Sequence, residues 1–77
     1  MTNAMTTKRI GEGTYAGTYK GQDVQIAKVY MAHSNETLWY SLINGEGGDD
    51  LVSTKKFAIY CAMEMIDNAS EYGLELK

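Results

Sequence analysis

One cysteine and one histidine stand in a chain of 77 residues. Cys61 alone cannot close an internal disulfide, and His33 alone cannot complete a metal site. The lone cysteine fits a reducing compartment, so a cytoplasmic protein is expected. No run of about 18 apolar residues is present, so no membrane span is expected, and the N-terminus lacks the apolar core of a signal peptide. Cations are few: seven Lys and Arg face ten Asp and Glu, a net charge of −3. Residues 1–35 hold four cations and two acids, a balance of +2; residues 36–77 hold three cations and eight acids, a balance of −5. A small acidic chain of this kind neutralises few phosphates, which speaks against a nucleic-acid partner.

A chain this short is one domain, and it buries only about 60% of the surface its unfolded form exposes. With no disulfide or metal staple, burying more surface in a dimer or complex would add stability. Met1 to Thr7 is polar and reads as a disordered arm, its first four residues an expression remnant if Met5 is the true start. Residues 8–77 read as a single domain.

From Thr14 to Ile43 the chain is rich in Tyr, Thr, Val and Ile, which suit a pleated surface. Thr14 to Lys20 is the expected first strand, Gly21-Gln22-Asp23 the turn, and Val24 to Met31 the second strand. In that strand Val24, Ile26, Lys28 and Tyr30 share one face, and Gln25, Ala27, Val29 and Met31 the other. Neither face is cleanly polar, as in a strand at the centre of a sheet. His33 to Glu36 is a polar turn, and Thr37 to Ile43 a third strand with Trp39 and Tyr40 on opposite faces. Asn44 to Asp50 holds three glycines and three acids, the composition of a mobile loop. Ser53 has the chemistry of an N-cap, Val52 and Phe57 the spacing of a hydrophobic staple, and Gly73 followed by Leu74 the signature of a Schellman cap. One helix is therefore predicted over 54–72. The expected fold class is α+β: a three-stranded antiparallel sheet followed by one long C-terminal helix packed on one face (βββα).

The middle of that helix, from Phe57 to Ile66, is interrupted only by Glu64, so apolar side chains wrap around the cylinder. A single sheet covers one side. Either the termini cover the rest, or the far side is an interface, with Ile59, Tyr60, Met63 and Ile66 the candidates for a homodimer contact.

No arrangement suited to catalysis is legible, and neither an enzyme nor a cofactor is expected. Cys61 sits among apolar neighbours that disfavour a thiolate. His33 lies in a turn, and Asp49 and Asp50 are adjacent carboxylates on a flexible loop without the spacing of a positioned pair or of cation ligands. Ile10-Gly11-Glu12-Gly13-Thr14-Tyr15 resembles the opening of the protein-kinase glycine-rich loop. Ala16 stands where its third glycine belongs, however, and no His-Arg-Asp or Asp-Phe-Gly follows. The segment reads as a glycine-rich hairpin.

The pattern Tyr-x-Gly-x-Tyr-x-Gly-x-x-Val-x-Ile from Tyr15 to Ile26, with Trp39 in the third strand and Ser53 to Ala58 opening the helix, carries a second resemblance. It is similar to the βββα domains that bind arm-type DNA sites in tyrosine recombinases and to their relatives in plant transcription factors. It equally resembles small βββα accessory proteins of phages and mobile elements, among them anti-CRISPR inhibitors. The first resemblance implies DNA reading by the outer sheet face, for which Tyr19, Lys20, Lys28 and Tyr30 are candidates, with Trp39 beside them. The second implies a non-enzymatic protein-interaction module that inhibits or modulates a host protein. Glu46, Asp49 and Asp50, with Glu64, Asp67, Glu71 and Glu75, would then face a basic protein surface. The charge balance favours the protein partner over the nucleic-acid alternative. Negligible binding of duplex DNA at physiological salt is expected; fluorescence anisotropy over a salt series checks this, and sub-micromolar binding with a steep salt slope would reverse the order of the two.

Overall fold

The computed structural model describes residues 5–48 and 50–77. Five strands form one antiparallel meander in the order β1-β2-β3-β4-β5: β1 (Thr7–Gly11), β2 (Thr14–Tyr19), β3 (Gln22–Met31), β4 (Glu36–Ile43) and β5 (Glu46–Gly47). Two helices follow, α1 (Lys55–Asp67) and α2 (Ala69–Tyr72). The expected βββα arrangement is thus corrected at both ends, to five strands instead of three and two helices instead of one.

Each correction has a local cause. β1 was not among the three expected strands: Thr7 ends the expected arm, and Ile10-Gly11 opens the segment read as a glycine-rich hairpin. Met5 is buried, Thr7 opens the strand, and Lys8 pairs with Ala16; the first four residues lie outside the described set. A strand carrying Lys8 and Arg9 looks polar because it is an edge, where charge blocks pairing with other chains. β5 forms because Asn44 and Gly45 both take positive φ, 53° and 84°, as a two-residue hairpin turn requires. The supposed mobile loop therefore begins by folding back onto β4. The β2–β3 turn is likewise Lys20-Gly21, φ 50° and 78°, one residue earlier than expected, so Gln22 and Asp23 belong to β3.

The helix begins one residue late. Thr54, not Ser53, is the N-cap, and its hydroxyl accepts the Phe57 N–H at 3.1 Å. Phe57 is consequently too early to staple onto Val52, and Val52 instead exchanges two backbone hydrogen bonds with Trp39, each 2.8 Å. α1 stops at Asn68, whose side-chain amide donates to the Glu64 carbonyl at 3.0 Å, competing with continuation of the helix. α2 ends at Gly73, φ 65°, where the Leu74 N–H returns to the Ala69 carbonyl at 2.9 Å.

α1 packs across β3 and β4. The core is small: Met5, Val24, Ile26, Ile43, Ala58, Ala62 and Ile66. Ala58, Ala62 and Ile66 recur every four residues, one stripe of the helix. Two alanines in that stripe let the helix backbone approach the sheet over Val24 and Ile26, both fully buried. The one buried polar side chain among the described residues is Gln22. Its oxygen accepts from the Asn44 side-chain amide at 2.9 Å and from the Lys77 N–H at 2.8 Å, and its amide donates to the Lys20 carbonyl at 3.2 Å and the Lys77 carbonyl at 3.4 Å. That cluster joins two hairpin turns to the end of the chain, so the burial of Gln22 costs little unless a partner is removed.

Gly17 marks where β1 closes on β2. A Cβ there would meet the Thr6 carbonyl oxygen at 2.5 Å and the Met5 side chain at 3.3 Å. Backbone has to move to admit it, so Gly17→Ala is expected to destabilise by about 1–3 kcal/mol. Urea denaturation of the variant against the parent checks this, and an unchanged midpoint would mean that β1 does not close on β2.

Candidate functional site

Strand alternation sorts the side chains onto two faces. The helix side holds Tyr15, Gly17 and Tyr19 of β2, Val24, Ile26, Lys28 and Tyr30 of β3, and Trp39, Ser41 and Ile43 of β4. The residues proposed for DNA reading are therefore not on the outer face. Tyr19 donates its hydroxyl hydrogen to the Asp67 carboxylate at 3.0 Å, and Lys20 in the turn pairs with the same carboxylate. Lys28 runs over Gly13. Tyr30 is exposed and bonds Asn35. Trp39 packs against the core, its ring 6.2 Å from that of Tyr15. The strands put one cation on the outer face among the described residues, Lys8, and the Lys77 ammonium is engaged there by Asp23 at 2.8 Å.

The acidic candidates are also divided. Glu46 lies in β5 and Asp50 beyond it, both exposed, while Asp49 lies outside the described residues. Of the four helix residues assigned to an interface, Ile66 is 4% exposed and belongs to the core, because it falls on the Ala58–Ala62 stripe. Ile59 and Met63 flank that stripe, partly buried against the core. Tyr60 alone points fully outward, 62% exposed.

What the helix presents outward is an aromatic strip. Phe57, 52% exposed, and Tyr60 line a shallow depression with Thr54 and Lys56. Tyr72, also 52% exposed, stands further along. Glu64 raises its pKa above the usual phenol range, helped by burial, Glu71, Cys61 and Asp50, so these acids surround that end of the strip. Phe57, read from the sequence as a staple for the helix start, and Tyr72 were not assigned to an outward surface, because an aromatic at core-like spacing reads as core until the inward stripe is known.

The charges of α1 run against its dipole, with Lys55 and Lys56 in the first turn and Asp67 in the last. Two of them have local reasons. The Lys55 ammonium sits 3.5 Å from the centre of the Tyr15 ring, a cation–π contact. Asp67 is held by Lys20 and Tyr19, which lower its pKa below the usual carboxylate range despite some burial, and Asp67 in turn raises that of Lys20. Lys56 makes no ion pair among the described residues. Cys61, partly buried, is shifted upward by burial first and then by Glu64 and Asp50, so it remains a thiol at neutral pH. No group of three His, Cys, Asp or Glu side chains able to hold a metal occurs among the described residues, and no helix there is long and apolar enough to cross a membrane. Comparison with protein-family models, with characterised proteins and with solved structures yields no match.

The Asp67 pair makes stability depend on pH in a defined sense. With the folded-state pKa of Asp67 lowered, its contribution is complete above about pH 4 and fades as pH falls further. With that of Lys20 raised, the same contribution is complete below about pH 10 and fades as pH rises. Asp67→Asn is expected to lower the urea midpoint slightly at pH 7 and to leave it unchanged at pH 2, since both groups are exposed to solvent. Denaturation at the two pH values checks this.

Proposed function

We propose that this chain is a non-enzymatic protein-interaction module that docks an apolar, basic segment of a partner protein on the outward strip of α1. The observation that carries this reading is the exposure of Phe57 and Tyr60, side by side in one depression on a helix whose Ala58–Ala62–Ile66 stripe is spent on the core, with Tyr72 of α2 exposed as well. Exposed aromatics of this kind are the usual anchors of protein interfaces. Removing each from water is worth roughly 1.5–3 kcal/mol. Lys56 at one end of the strip, against Glu64, Glu71 and Asp50 at the other, calls for a partner segment with its own cations over the acidic end.

In its narrower form the proposal is a cytoplasmic modulator or inhibitor of a host nucleic-acid-handling protein, the role that the resemblance to phage accessory proteins implies. Direct nucleic-acid binding has less support. Its residues are divided between the helix side of the sheet and the Lys20–Asp67 pair, and the strands put one cation on the outer face among the described residues.

Affinity capture from the source cell, followed by calorimetry on the recovered partner, tests the proposal. Tyr60→Ala and Phe57→Ala are each expected to weaken binding about tenfold, or 1.4 kcal/mol, without loss of fold. Glu64→Lys is expected to weaken it in a salt-dependent way. A partner held equally well by the Phe57→Ala/Tyr60→Ala double variant would refute the use of this strip.

A further inference from the structure

The sheet has a second face that the helices leave open. Ala27, Val29 and Met31 of β3 and Leu38, Tyr40 and Leu42 of β4 lie on it, opposite the helix, by strand alternation. None of the six belongs to the core cluster or packs against it. The chain end reaches only the edge of this face: Lys77 is bonded through its backbone to Gln22 on the helix side, and its ammonium pairs with Asp23 at the start of β3. Gly48 touches one corner, near Leu42 and Tyr40.

We propose that a second copy of this chain packs on this outer face, sheet against sheet, to form a two-fold dimer. Two features select a second copy over a foreign partner. The first is shape. The β4 side is a ridge of Leu38, Tyr40 and Leu42, whereas the β1–β3 side is a shallow hollow lined by Ala16, Thr18 and Gln25, with Lys8 and Asp23 among its lining residues. One face thus carries both a ridge and the hollow to receive it, as an isologous contact demands. The second is charge. Lys8, at the β1 edge, and Glu36, at the start of β4, are exposed at opposite corners of the face, and the other carboxylate on it, Asp23, is paired with Lys77. A two-fold axis that carries each corner onto the other crosses the two sheets at close to 90°, an established sheet-on-sheet packing. It places Lys8 of each copy over Glu36 of the other, and Leu38 of each over the other's hollow.

The resulting assembly has four layers, helix, sheet, sheet and helix, with the strip of Phe57 and Tyr60 on the outside of each copy. It uses a different face from the proposed partner site, so either can fail without the other.

Analytical ultracentrifugation at tens of micromolar tests the dimer. The expected mass is twice the 8.5 kDa of the chain. Leu38→Glu is expected to give a monomer, and Tyr60→Glu to leave the dimer intact. Lys8→Glu is expected to weaken association about fivefold, with recovery in Lys8→Glu/Glu36→Lys. A monomeric parent protein, a dimer that survives Leu38→Glu, or one lost in Tyr60→Glu would overturn the proposal. Should Leu38→Glu fail to fold, the charge exchange decides. Lys8 and Glu36 are both exposed, so their exchange does not threaten the fold, and failure of the double variant to recover dimerisation counts against the interface.

Discussion

The structure depends on one close approach, that of α1 to the sheet through Ala58 and Ala62. Their two methyl side chains, each at most 1% exposed, lie in one core cluster with Val24 and Ile26. A helix held that close to the centre of a sheet buries a narrow stripe well and leaves the larger side chains of the same helix to either side of it. Ile59, Met63 and Met65 then fill the flanks, and the aromatic groups at Phe57 and Tyr60 are turned outward. Larger residues at 58 and 62 would lift the helix and separate the flanking side chains from the strands beneath, the cost of overpacking in a small core.

That geometry leaves a domain with limited burial and two surfaces rich in apolar groups. One is the strip along α1, aromatic and bordered by charge; the other is the outer sheet face, broad and ridged by Leu38, Tyr40 and Leu42. They suit different occupants. A narrow strip on a convex helix, cationic at one end and acidic at the other, matches a segment of a partner. A wide face with a ridge and a matching hollow matches itself. A small domain without disulfide or metal gains from filling either surface.

The polar contacts act mainly at the ends of elements. Tyr19 and Lys20 hold Asp67 at the end of α1 against the β2–β3 turn. Gln22, Asn44 and Lys77 gather the other end of the sheet and the end of the chain. Both clusters use side chains beside the hairpin turns at Lys20-Gly21 and Asn44-Gly45, where the left-handed backbone makes two-residue connections possible. The tight turns therefore set strand register and also supply the ties to helix and tail.

The strands from Thr14 to Ile43 and the helical stretch before Gly73 were legible from the sequence, because β-branched and aromatic residues between turn signals, and a long run free of Gly and Pro, are local properties. The Asn44-Gly45 turn was equally legible but was masked by the glycines and acids around it. β1 was legible only in part: Ile10 to Tyr15 read as a glycine-rich hairpin, but the polar residues before it did not read as a strand, because an edge strand is polar for the same reason that an arm is polar, and the burial of Met5 against Gly17 distinguishes the two. Local chemistry determined the cap at Gly73, the central position of β3 and the opposition of Trp39 and Tyr40. It could not determine which sheet face α1 would cover. Alternation assigns Lys28 and Tyr30 to one face and Val29 to the other, yet the two faces of β3 are nearly equal in hydrophobicity. The choice was made by tertiary packing. Val24 and Ile26 lie directly opposite Ile43 and Ser41 and share one buried cluster with Ala58 and Ala62, whereas Leu38, Tyr40 and Leu42 on the other face take no part in it.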